Sequence, residues 1–90
     1  MLGYWTASVF WIWTFSKPGQ YAFWMKGMKF PIDIVWVGAD HKVAGIEKSV
    51  QPSTYPDRFA NKDKLAQYVL ELQSGRADSL GLNIGTPVKF

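Results

Sequence analysis

Short apolar runs rich in β-branched and aromatic residues recur along the chain, and each is cut off by Gly, Pro, Asn or Asp. That spacing predicts strands joined by hairpin turns. The first run predicts a strand over residues 9–15. In "SKPGQ" after it, Pro18 and Gly19 suit the central positions of a type II turn, so residues 21–26 are expected to fold back antiparallel. Residues 32–37 and 43–50 read as a second hairpin around the polar turn "GADHK". Alternation puts Ile32, Ile34 and Trp36 on one face of the first of these strands and Asp33, Val35 and Val37 on the other. Both faces are then mostly apolar, the mark of a central strand.

Residues 51–64, "QPSTYPDRFANKDK", have no clean periodicity and read as a surface loop of a length that is often functional or mobile. "LAQYVLEL" alternates as a strand, with Ala66, Tyr68, Leu70 and Leu72 on one face and Gln67, Val69 and Glu71 on the other. "SGRADSLGL" predicts one or two helical turns, with Ser74 as the cap and Gly81 at the left-handed stop. "TPVKF" predicts a short edge strand in which Pro87 is tolerated. No repeat or linker interrupts the order, so residues 1–90 are expected to form a single small β-rich domain.

Composition narrows the function classes. Ninety residues must build a dense core, and five Trp, six Phe and four Tyr supply it. The absence of cysteine excludes a disulfide framework, thiolate metal sites and thiol nucleophiles, and leaves the compartment open. The formal charge is +3, and no two of the ten Lys and Arg are adjacent. This argues against a nucleic-acid surface, which clusters its cations. "SVFWIWTF" is too short to cross a bilayer and has no basic flank like that of a secretory signal, so the chain reads as soluble.

One acid stands out. Asp33 lies between Ile32 and Ile34, where burial costs several kcal/mol unless partners compensate. If residues 21–26 come close to it, Lys26 is the expected partner. The pair then reads as a structural ion pair, as a carboxylate held by backbone amides, or as an acid–base or anion-binding pair beside an aromatic wall. Trp11 and Trp13 share a strand face with Val9 and Phe15, which reads first as barrel core. Trp24 alternates with Lys26 and is the candidate for stacking on a ligand. Glu71, were it to approach Asp33, would supply a second carboxylate for acid–base work or a hard cation. His41 sits in a polar turn and reads as solvated, and Glu47 as an exposed acid. There is no phosphate loop, His-Glu-x-x-His motif or nucleophile elbow.

The segments "KPGQYAFWMKGMKFPIDIVWV", "GIEKSVQPSTYP", "YVLEL" and "SGRADSLGLNIGTPVKF" carry a resemblance over roughly residues 13–90. Their most specific pieces are Phe-Trp-Met-Lys at 23–26 and Pro-Ile-Asp-Ile at 31–34. The chain resembles domain of unknown function family 192, also called uncharacterised protein family 0127. The resemblance implies a mainly β fold with a minor α part: a small barrel-like sheet, antiparallel or mixed, of about five to six strands, and one short helix near the C-terminus. It implies no established activity and leaves any cofactor unknown. Relatives usually begin with a further strand, for which "MLGYWTAS" is too short, and they are often exported. A missing strand would leave an open sheet edge and favour a homodimer.

The expected function is therefore a small binding or accessory domain, with Trp24, Met25, Lys26 and Asp33 bordering a pocket for a small polar or anionic ligand. In that site Lys26 would hold the ligand, Asp33 would fix Lys26, and the 51–64 loop would act as a lid. The alternatives are hydrolase-like chemistry with Asp33 or Glu71 as the proton-transfer group, and a self-association module with no small ligand.

Overall fold

The computed structural model describes residues 9–61 and 64–89. Its elements run β1 (Val9–Gly19), β2 (Phe23–Trp24), β3 (Ile32–Val37), β4 (Val43–Val50), β5 (Arg58–Phe59), β6 (Ala66–Gln73) and α1 (Arg76–Ser79), with a 3-10 turn at Pro52–Thr54. Four strands form one antiparallel sheet in the order β1-β6-β3-β4, and β2 pairs with β5 as a separate ribbon. The fold is mainly β with one short helix near the C-terminus, as expected, but among the described residues the sheet ends at β1 and β4 and does not close into a barrel.

β3 is central, and its burial follows from its sequence: all six residues are buried, as both faces are apolar except at Asp33. On one face Val35 and Val37 join Leu70 and Leu72 of β6, and Ala77, Leu82 and Val88 close over them from α1 and the C-terminal segment. On the other face Ile32, Ile34 and Trp36 pack with Val69 and Val50, covered by Met25 and by the partly buried Phe23 and Phe59 of the ribbon. The sheet is thus clad by a helix on one side and a two-stranded ribbon on the other. Trp36 ties the second layer down, because its buried indole N–H donates to the Tyr21 carbonyl at 2.8 Å.

Several local expectations change. Residues 9–15 and 21–26 do not make a hairpin: β1 runs through Pro18 to Gly19 and pairs with β6, while Phe23 lies opposite Phe59. Gly19 lacks the positive φ that a type II turn requires and instead faces Ala66. Trp11 and Trp13 are not core. They are 56% and 40% exposed: they lie on β1, the edge strand among the described residues, and the face they share is left partly uncovered there. The 51–64 loop contains the 3-10 turn and β5, and "TPVKF" contributes an isolated bridge, Lys42 to Pro87, in place of a strand.

The helix end follows expectation. Gly81 has φ 71°, its N–H donates to the Asp78 carbonyl, and the Leu82 N–H donates to the Ala77 carbonyl. These two bonds satisfy orphan carbonyls in a Schellman motif and bury Leu82 beside Ala77.

Candidate functional site

Asp33 is 1% exposed, and backbone amides neutralise it. Ser49 N–H donates to Oδ1 at 2.8 Å, while Gly75 N–H and Ala77 N–H donate to Oδ2 at 3.1 and 2.9 Å. The strand order explains the convergence. β3 lies between β4 and β6, so the end of β4 and the turn leaving β6 both reach the start of β3. A positive φ of 50° at Ser49 accompanies its amide's bond to the carboxylate. Gly75, with φ 91°, is the N-cap residue of α1, and the helix has no side-chain cap of its own. Asp33 supplies the cap from another strand, accepting the orphan amides of the first turn. Ser74, the expected cap, instead places its hydroxyl 2.7 Å from that of Ser49.

Lys26 is not the partner of Asp33. Its ammonium lies over the Trp24 ring, 5.5 Å from the centroid, and the ion pair found among the described residues joins Lys48 to Asp78 at 2.7 Å. The hydrogen bond to Asp78 and that residue's charge, with a smaller contribution from Asp33, raise the Lys48 pKa above 10.5. Met25 is 2% exposed, packed in the layer beneath β2. The four expected pocket residues therefore divide: Trp24 and Lys26 face solvent, whereas Met25 and Asp33 are interior.

Glu71 and Asp33 lie on opposite faces of the sheet. Asp33 stands across from Leu72, and Glu71 across from Ile34, so the pleat sends the two carboxylates to different sides. Glu71 accepts the indole N–H of Trp13 at 3.1 Å. His41, with φ 63°, shares the β3–β4 turn and meets the Tyr68 ring edge-on at 5.0 Å. Among the described residues no cluster of three or more His, Asp or Glu could hold a metal ion.

A second locus surrounds Trp24, which is 36% exposed. Trp24 and Arg58 are directly opposed on β2 and β5, and the guanidinium carbon stands 4.2 Å from the Trp24 ring centroid. The Tyr55 ring lies 5.0 Å away at a tilt of 53°. Beside Arg58 opens a cavity of about 440 Å³ lined by Glu47, Asp57, Arg58, Phe59 and Ala60. Pattern reading of the sequence missed Arg58 and Tyr55 because they sit in the aperiodic 51–64 segment; the one available signal was a basic and an aromatic residue inside a Pro-punctuated loop.

This is an open antiparallel sheet, capped by a helix on one face and a short ribbon on the other, with a solvent-facing aromatic and cationic cluster. The chain belongs to the DUF192 family, described as "Uncharacterized ACR", whose profile matches residues 10–90. It is similar to a protein of unknown function from Novosphingobium aromaticivorans DSM 12444, with 29% identity and a TM-score of 0.78, over 88% of this chain and 55% of that one. It is also similar to a putative transcription regulator from Sinorhizobium meliloti 1021, with 24% identity and a TM-score of 0.73, over 82% of this chain and 56% of that one. The second likeness is one of fold alone. The chain thus spans just over half the length of both solved structures. None of the curated proteins matches. Among the described residues no helix is long and apolar enough to cross a membrane.

Proposed function

We propose that this chain is a small binding domain that holds a polar or anionic ligand at Trp24, with Lys26 and Arg58 supplying positive charge and Tyr55 a second aromatic contact. The observation that carries the reading is a partly exposed indole with two cations over it, at 4.2 and 5.5 Å from the ring centroid. Surface cations held against an aromatic ring are oriented before a ligand arrives, which lowers the ordering cost of binding. Met25 would anchor the strand that presents Trp24, and Asp33 would stiffen the sheet beneath it. The 51–64 segment contributes Tyr55 and Arg58 and so forms one wall of the site.

An acid–base role for Asp33 fits the geometry less well, since both carboxylate oxygens are occupied by backbone amides and the group is 1% exposed. A thermal-shift screen of sugars, nucleotides and anions tests the binding reading. Hits should disappear in Trp24→Ala and weaken in Lys26→Ala. A hit that survives both substitutions rejects the site.

The exposed Trp11, Ile12 and Trp13 on edge strand β1 favour a second reading, in which two copies of the chain pair along that edge. Light scattering should then show a mass that rises with concentration in the wild type and stays monomeric after Ile12→Lys. A constant monomer mass in the wild type removes this reading.

A further inference from the structure

The chemistry around Arg58 narrows the ligand class, an inference that rests on the binding reading above. Arg58, Glu47 and Asp57 border one cavity of about 440 Å³, yet among the described residues Arg58 forms no ion pair with either acid. The guanidinium carbon lies 4.2 Å from the Trp24 centroid, and a guanidinium that meets a ring through its face keeps its in-plane N–H donors for a ligand at its edge. Such a fork matches a carboxylate or phosphate through two parallel bonds.

The two acids oppose a bare anion. A phosphate carries more negative charge than a carboxylate and would meet more repulsion from Glu47 and Asp57. A ligand that brings hydroxyl donors turns the same carboxylates into acceptors. The register places Glu47 on the required side, because it stands opposite Ile34, on the sheet face that the β2–β5 ribbon covers. Phe59 lines the cavity and adds ring surface for the C–H face of a saturated ring, and Trp24 adjoins it through Arg58.

We propose that the cavity takes a sugar acid: a hydroxylated ring bearing one carboxylate. The carboxylate sits on the edge of Arg58, ring hydroxyls donate to Glu47 and Asp57, and the ring rests on Phe59. Lys26 contributes charge without a directional bond.

Titration of the isotope-labelled chain with D-glucuronate, D-glucose, acetate, glycine and inorganic phosphate, followed by NMR at the Trp24 indole and the Arg58 side chain, tests this. D-glucuronate is expected to bind at least about tenfold more tightly than the other four. Arg58→Lys should lose about tenfold in glucuronate affinity at unchanged thermal stability, because the ammonium cannot reproduce the fork. The paired Glu47→Gln and Asp57→Asn variant should narrow the preference for glucuronate over acetate. If acetate or phosphate binds as tightly as glucuronate and still shifts Trp24, the sugar-acid inference falls while the binding reading stands. Equal binding of glycine overturns it in favour of an amino-acid ligand. If none of the five shifts Trp24, the inference is overturned, and the thermal-shift screen decides the broader reading separately.

Discussion

Replacing Asp33 by Asn keeps the shape of the side chain and removes its charge and one of its acceptors. Whichever way the amide is turned, an NH2 group faces at least one backbone N–H where an oxygen stood, at Ser49 or at the Gly75 and Ala77 pair. A hydrogen bond to a charged group contributes about 1.5–3 kcal/mol, and a buried donor left unsatisfied costs about 1–3 kcal/mol. The three bonds share one carboxylate and do not add, so Asp33→Asn is expected to cost about 2–3 kcal/mol, and Asp33→Ala about 3–5 kcal/mol. With a slope near 1 kcal/mol per M urea for a small domain, the Asn variant should lower the unfolding midpoint by about 2–3 M. Circular dichroism during urea titration is the assay, with Glu71→Gln as the control expected within about 0.5 kcal/mol of wild type. An Asp33→Asn midpoint within about 0.5 M of wild type would refute the reasoning, because it would mean that the amide clamp contributes nothing net.

Met25→Ala removes a 2% exposed side chain beneath the ribbon and is expected to cost about 2–5 kcal/mol by chemical denaturation, loosening β2 as it does so. Gly81→Ala puts a Cβ on a residue at φ 71° and should cost about 1–2 kcal/mol, measured by the same titration; a neutral result would show that the left-handed stop is not needed. The Lys48–Asp78 pair favours the protonated lysine in the folded state, so its contribution is complete below the ordinary lysine pKa of 10.5 and fades as pH rises through the higher folded value. Nitrogen-detected NMR of the Lys48 ammonium should place its titration above 10.5; a midpoint at or below that value contradicts the pairing.

The elements that were legible from residue order are those set by near neighbours. The β3–β4 hairpin has the bounds that alternation and the "GADHK" turn indicate, since a pleat period and a tight turn involve only adjacent residues. Gly81 as the helix stop is of the same kind. β2 is the contrary case. Residues 21–26 have the composition of a strand, yet only Phe23 and Trp24 pair, and their partner strand lies in a stretch that reads as loop. Two-residue strands carry too few positions for a period to register. Trp11 and Trp13 show the same limit from another side: alternation assigns them a common face, but burial depends on what covers that face.

Residue order alone settled that this chain is mainly β, that β3 is apolar on both faces and that a single acid within it demands compensation. Tertiary structure decided what compensates it and where the exposed chemistry lies. The donors to Asp33 come from residues 16, 42 and 44 positions away, and Arg58 meets Trp24 only because β5 pairs with β2. Such contacts depend on the order of strands in the sheet, a long-range choice among competing pairings that no local pattern of side chains encodes.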